Sequence, residues 1–289
     1  MHQPRPAFID HISVLASAYD VLLCDVWGVV HNGVAPFPGA CDALARFRAG
    51  GGTVVLITNA PRTSEVVAYQ LDRIGFPRAA YDHVVSSGDV TRGVIARRRH
   101  EAVFHVGPER DRSIFAELGI RTTPEEAADY AVCSGLFDDT RETPDDYRDL
   151  LGRMRARGML MVCANPDLVV VRGETLVYCA GSIADLYASL GGEVLYAGKP
   201  HRPIYDEALA RVEATRGAPV RRERILAIGD SVRTDLTGAT RFGLDCLFVT
   251  AGIHAEELGA GDKPDPAVLS RIFADADAWP KAITRELAW

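Results

Sequence analysis

The sequence predicts an α/β protein with a largely parallel sheet, and three observations carry that expectation. Apolar runs rich in Val, Ile and Leu recur along the chain, they alternate with segments of helical period, and glycine closes one helical segment after another. The runs are expected as strands at Val21–Cys24, Thr53–Thr58, Val84–Ser86, Val103–Val106, Ala131–Ser134, Leu160–Ala164, Val194–Ala197, Ile225–Ile228 and Cys246–Thr250. Continuous apolar runs suit strands covered by helices on both faces. Gly50, Gly75, Gly119, Gly158 and Gly243 are the expected helix stops, where a left-handed cap costs glycine least. The run Pro36–Ala40 is expected to open the helix after the first strand, because proline is favoured in a first turn.

A chain of 289 residues, 47% of them hydrophobic, can bury a sizeable core as one large or two moderate domains. No apolar run approaches the ~20 residues that span a bilayer, and the start MHQPRPAFIDHISVL lacks a basic-then-apolar layout. A soluble cytoplasmic protein is therefore expected, with no membrane partner. The six cysteines form no CxxC pair, and buried free thiols are the expected state. A net charge of -7 argues against nucleic acid as a partner, since such binders displace phosphate counterions with cations. The basic clusters at 97–100 and 221–224 read as solvated helix ends. Glycines 50–52 lack the context of a phosphate-cradling loop, and Asp138, Asp139, Asp145 and Asp146 read as a polar loop entering a capped helix.

Ligands of open parallel sheets bind beyond the carboxyl ends of the strands. Asp25 follows VLLC, Thr58 and Asn59 follow TVVLI, Asp230 follows ILAIG, and a Gly-Lys-Pro turn carrying Lys199 follows VLYA. A fold that gathers these ends makes a pocket with two carboxylates, a hydroxyl, an amide and an ammonium. Two carboxylates with a backbone carbonyl form a hard oxygen site of the kind Mg²⁺ prefers, so Asp25 and Asp230 are the expected metal ligands. Thr58, the Asn59 backbone amide and Lys199 suit the oxygens of a phosphoryl group. In that arrangement Asp25 can attack phosphorus and pass through an aspartyl-phosphate.

The segments DVWGVVHNG, LITNAPRTSE, GKPHRPIY and IGDSVRTDLTGA resemble, in order, the four motifs of the haloacid dehalogenase (HAD) superfamily. The long insert between the second and third, with HVGPERDRSIFAELGI, CANPDLVV and CAGSIADLY, is similar to class IIA members, the nitrophenyl-phosphatase and pyridoxal-phosphatase relatives. The resemblance implies a doubly wound core from residues 1–100 and 196–289, with a C2-type α/β cap over 101–195. It makes Asp25 nucleophile and Mg²⁺ ligand, Thr58 and Lys199 phosphoryl-binding groups, Asp230 the second metal carboxylate, and Asp235 a group behind it. It also makes the Trp27 backbone carbonyl a metal ligand and points the ANPD loop, with Asn165 and Asp167, at the substrate. Gly181 and Ser182 open a helix whose amides suit a polar group. Class IIA relatives often dimerise through their caps, so a homodimer is a further expectation.

The sequence departs from the resemblance at Trp27, where most phosphatases of this superfamily carry an aspartate that protonates the leaving group and then activates water. Losing a general acid costs ~10²–10⁴ in rate. His31 and His201 are the nearest titratable groups in sequence, although a loop histidine is more often structural. The expected function is a slow Mg²⁺-dependent hydrolase of a small phosphorylated metabolite, and the competing one a phosphometabolite-binding or regulatory protein.

Overall fold

The computed structural model describes residues 6–172, 175–258 and 264–289. Its strands are β1 (Ala7–Phe8), β2 (Val21–Asp25), β3 (Thr53–Thr58), β4 (His83–Ser86), β5 (Ala102–Val106), β6 (Arg121–Thr122), β7 (Tyr130–Cys133), β8 (Leu160–Cys163), β9 (Val169–Arg172), β10 (Thr175–Tyr178), β11 (Val194–Tyr196), β12 (Ile225–Gly229), β13 (Asp245–Val249) and β14 (Ala282–Thr284). They form a seven-stranded sheet ordered β1-β14-β13-β12-β2-β3-β4, a five-stranded sheet ordered β11-β8-β7-β5-β6, and the β9-β10 hairpin. The chain divides into two compact units. The first comprises Met1–Thr58, Ala68–Val85 and Tyr205–Trp289; the second comprises Asn59–Val67 and Ser86–Ile204.

In the first unit every residue of β2 and β12 is buried, as continuous apolar runs require. Both strands run parallel, with Ile228 opposite Cys24, and β2 pairs in parallel with β3, Asp25 opposite Ile57. From β2 the chain builds outward through β3 and β4 on one side, and through β12, β13 and β14 on the other. The order therefore reverses between β2 and β12, and at such a switch point the two flanking connections leave a crevice beyond the strand ends. The helix Pro38–Ala49 follows β2 with Pro38 in its first turn and packs Ala40, Ala43, Leu44 and Phe47 inward.

In the second unit the five-stranded sheet pairs in parallel throughout. Side chains of a strand point alternately to opposite faces, and β7 and β8 show this cleanly. Ala131, Cys133, Met161 and Cys163 join an apolar cluster with Met154, Ile183 and Tyr187. Tyr130, Val132, Val162 and Ala164 join another with Ile95, Val103 and Ile114. Each face thus has its own core.

Differences from the sequence reading are local. The left-handed stop after the first long helix is Gly51 (φ 89), not Gly50, whose φ is -79. Gly75, Gly158 and Gly243 adopt positive φ as expected, while Gly119 follows a 3₁₀ segment, Glu109–Phe115, instead of an α-helix. All six cysteines are free, and Cys41 alone among them is only partly buried. The basic clusters hold structural partners: Arg98 lies over the Tyr130 ring, Arg222 over Phe242, and Arg224 grips Asp20 through two nitrogens. The Asp138–Asp146 loop is polar and ends in a Thr143–Asp146 capping box. Among the described residues no helix is long and apolar enough to cross a membrane.

Leu22 is fully buried at the centre of the larger sheet. Leu22→Ala is expected to destabilise the protein by ~2–5 kcal/mol, read as a lower urea midpoint. Gly243→Ala, forcing a side chain into a left-handed cap at φ 74, is expected to cost about 1 kcal/mol.

Candidate active site

Asp25 is the last residue of β2, and Asp230 directly follows β12, its parallel neighbour. Asp235 lies one turn further on, in a π-helical segment Val232–Leu236 capped by the Ser231 hydroxyl, which accepts from the Thr234 amide at 3.3 Å. The three carboxylates are buried, and their nearest oxygens lie within 4.8 Å of one another. Thr58 ends β3, on the other side of β2, and is also buried.

Glycine makes room for these acids. A Cβ on Gly28 would sit 2.2 Å from Asp230 Oδ2, and one on Gly252 would sit 1.9 Å from the same oxygen. The Ile253 amide donates to that oxygen at 2.8 Å. Asp230 Oδ2 is thus fixed by backbone from two loops, which orients the carboxylate before any ligand arrives. Asp235 is treated similarly: Gly229 lies against its Cγ, and the Ser231 amide donates to its Oδ2 at 3.1 Å. Three carboxylates this close repel one another when ionised, so a divalent cation among them removes a standing cost. The donors are all oxygen, which fits a hard cation such as Mg²⁺ and not a thiolate-seeking metal.

Trp27 turns back on its own loop. Its indole meets the His31 ring edge-on at 5.2 Å and packs on Gly33, where a Cβ would approach Cη2 to 2.5 Å. The side chain remains 40% exposed. His31 is buried, and its Nδ1 accepts from the Gly33 amide at 2.8 Å. Burial pushes the His31 imidazole down to about 4. The ring is therefore neutral at pH 7 and cannot serve there as the missing acid. His201 stacks on Tyr196 at 4.4 Å.

In the second unit the Asn59 side chain ties three segments together. Its Oδ1 accepts from the Lys199 amide at 2.7 Å, and its Nδ2 donates to the Lys199 carbonyl at 3.1 Å and to Asp167 Oδ1 at 2.8 Å. Gly198 cannot be larger, because a Cβ there would lie 2.3 Å from Asn59 Oδ1. The sequence reading gave Asn59 only a backbone role; this clamp on the Lys199 backbone was not foreseen, although a side-chain amide directly after the strand-ending Thr58 was the available signal. Asn165 accepts from the Asp167 amide at 3.1 Å. Gly181 packs against the Pro166 and Asp167 carbonyls, where a Cβ would come within 2.5 Å, and its own amide donates to the Asp167 carbonyl at 3.1 Å. The Ser182 hydroxyl donates to the Cys179 carbonyl at 2.6 Å. These two residues thus have structural work in holding the 165–167 loop against a helix start.

Two outcomes follow from this geometry. Gly252→Ala is expected to displace Asp230 and weaken Mg²⁺ binding ~10-fold or more in calorimetric titration, from loss of one well-placed charged ligand contact. The His31 and His105 rings are both held at about 4 by burial, with Arg112 adding to the effect at His105. Between about 6.5 and 4 the unfolded chain binds protons that the fold refuses, so stability is complete at neutral pH and falls on acidification. A loss on the order of 2 kcal/mol per ring, about 4 kcal/mol for the two, from pH 7 to pH 5 is expected in urea titrations. His105→Phe reduces that slope.

Comparison with known proteins agrees with the fold. A family model described as haloacid dehalogenase-like hydrolase matches residues 22–121, and a HAD-hydrolase-like model matches 196–276. A haloacid dehalogenase-like hydrolase of Brucella suis 1330 is 46% identical and superposes with a TM-score of 0.85 over 96% of this chain and 99% of that one. D-glycerol 3-phosphate phosphatase of Mycobacterium tuberculosis is 31% identical over 83% of this chain, which spans 65% of that protein's length. A crystal structure of glycerol phosphate phosphatase from the same organism, in complex with magnesium, is 27% identical with a TM-score of 0.64, covering 88% of this chain and 77% of that one. The chain belongs to the haloacid dehalogenase-like hydrolase family, in its C2-capped class IIA branch.

Proposed function

We propose that this protein is a Mg²⁺-dependent phosphatase of a small phosphorylated metabolite, working through an aspartyl-phosphate at Asp25. The observation that carries the reading is the cluster of Asp25, Asp230 and Asp235 at the switch point of the larger sheet, with ligand atoms within 4.8 Å. Relatives named as phosphatases of glycerol phosphate and of ribonucleotide monophosphates support the substrate class. The division into core segments 1–100 and 196–289 and a cap of 101–195 belongs to the same reading.

In this mechanism Asp25, Asp230 and the Trp27 carbonyl would hold the cation, with Asp235 behind them; a Mg²⁺ bound there would supply positive charge to offset that of the phosphoryl group as Asp25 approaches it. A carboxylate oxygen of Asp25 attacks phosphorus in line, the bond from phosphorus to the ester oxygen breaks, and the alcohol leaves with a proton drawn from solvent. Thr58, the Asn59 amide and Lys199 bind the phosphoryl oxygens as charge shifts among them. Water then attacks phosphorus, inorganic phosphate departs, and Asp25 is regenerated. Asn165 and Asp167, with Gly181 and Ser182 behind them, present the loop that faces the substrate.

Trp27 supplies no proton at the position where one is expected, so turnover is slow. The same residue favours a second reading, a phosphometabolite-binding protein with impaired catalysis. Steady-state assays with Mg²⁺ separate the two. Asp25→Asn is expected to abolish hydrolysis, and chelation of Mg²⁺ to do the same. Trp27→Asp is expected to raise kcat by ~10²-fold or more. Hydrolysis that survives Asp25→Asn contradicts the mechanism, and wild-type protein inert on every ester while still binding them supports the second reading.

A further inference from the structure

At the amino ends of β2, β3 and β12 the first unit carries a surface pocket of about 260 Å³, bordered by Asp20, Arg216, Arg221, Arg224 and the loop 218–220. Asp20 precedes β2, Thr53 opens β3, and Arg224 precedes β12. Backbone ties these strand starts together: the Asp20 amide donates to the Arg224 carbonyl at 2.8 Å, and the Thr53 amide donates to the Asp20 carbonyl at 2.9 Å. The frame of the pocket is therefore as fixed as the sheet.

Its three arginines differ in what they already hold. Arg224 is fully committed, with Nε and Nη2 donating to the two Asp20 carboxylate oxygens at 2.9 and 2.7 Å and Nη1 donating to the Ala18 carbonyl at 2.7 Å. Arg216 ends the helix Arg202–Arg216 and is anchored through one nitrogen, Nη1, which lies 3.2 Å from the Thr53 hydroxyl and 3.4 Å from the Asp20 carbonyl. Its Nε and Nη2 have no partner among the described residues. In the basic run 221–224, Arg222 covers Phe242 and Arg224 grips Asp20, whereas the exposed Arg221 side chain makes no hydrogen bond or ion pair among the described residues.

Charge selects the occupant. The hydrogen bonds from Arg224 hold the Asp20 carboxyl below the ordinary carboxylate range, and Arg216 and Arg221 add to that pull. Asp20 is therefore ionised and neutralises one of the three cations. The carboxyl end of the helix contributes only about half a negative charge. The pocket is left cationic in a chain of net charge -7. Like charges confined together repel, and an anion between them removes that cost. A guanidinium is a planar fork that fits phosphate or carboxylate oxygens, and forks from separate elements suit a tetrahedral group better than a flat one. At ~30 Å³ per water the pocket has room for about eight waters, enough for a phosphate group with a short carbon chain.

We infer that this pocket binds a doubly charged phosphate group, free or as the end of a small ester, through Arg216 and Arg221. Asp25 closes the opposite end of β2, a strand of 5 residues, which sets it ~16 Å from Asp20. An anion held at the arginines leaves the carboxylate cluster open, so it is a second ligand and not the substrate of the proposed reaction. The inference needs neither metal nor turnover and stands apart from the phosphatase reading.

Calorimetry of the full chain, stripped of divalent metal and kept in low salt, titrates inorganic phosphate, methyl phosphate and succinate. Without metal the three buried carboxylates repel phosphate, and the arginine pocket is expected to take it at one site, more tightly than succinate. Arg221→Gln and Arg216→Gln are each expected to weaken phosphate binding ~10-fold, the loss of one charge-assisted hydrogen bond. Arg141→Gln, at an exposed arginine of the second unit, and Lys199→Ala are expected to leave it unchanged. Methyl phosphate binding as tightly as inorganic phosphate assigns the pocket to an ester, and weaker binding assigns it to free phosphate. Equal weakening by Arg141→Gln marks diffuse attraction and overturns the inference, as does binding lost in Lys199→Ala but kept in Arg221→Gln, tighter binding of succinate, or wild-type protein that binds no phosphate. Because the Arg221 side chain holds nothing in place, Arg221→Gln decides the matter even where Arg216→Gln fails to fold.

Discussion

The structure is organised around a repulsion. Asp25, Asp230 and Asp235 are buried together with ligand atoms within 4.8 Å, an arrangement that charge alone opposes. It is held because β2 and β12 are adjacent parallel strands deep in the sheet, and because Gly28, Gly229 and Gly252 let backbone close around two of the three carboxylates. Amide donors from Ile253 and Ser231 each hold one oxygen of Asp230 and Asp235 in place. A fold that spends this much geometry on mutually repelling groups is prepared for a cation. The acids' fixed orientation also means that little reorganisation is needed when it binds.

Much of this was legible in the sequence, for identifiable reasons. Buried parallel strands are long continuous apolar runs, so β2, β3, β5, β7, β8, β12 and β13 could be read directly, and the residues that follow them mark where ligands bind. The short strands β1, β6 and β14 were not read, since two or three residues carry few side chains to announce a strand; β11, also of three residues, was read from its Val-Leu-Tyr-Ala run. The β9-β10 hairpin was missed because its partners are local and half exposed. At the site, the acids were legible from their place after strands, whereas the Asn59 clamp on Lys199 was not, since it joins residues 140 apart in sequence. Nor could the sequence show why Gly252 must be glycine; only the carboxylate beside it explains that.

Trp27 changes what the site is suited to do. An aspartate there would stand ready to move a proton, while the indole instead braces its own loop against His31 and Gly33. His31 is buried neutral and cannot compensate near pH 7. The loop is thereby stiffened at the same position where proton transfer is lost. Trp27 replaces none of the side chains proposed to hold the cation and the phosphoryl group, so the proposed reading accommodates both binding and slow chemistry.

The central claim concerns where one ion sits. Crystals soaked with Mn²⁺ and a phosphate mimic, measured at the manganese absorption edge, locate that ion by anomalous scattering. The account predicts one strong peak in direct coordination with carboxylate oxygens of both Asp25 and Asp230, at the ~2.0–2.2 Å typical of a small hard divalent cation. A peak bound elsewhere, or no ion between those two residues, would contradict it.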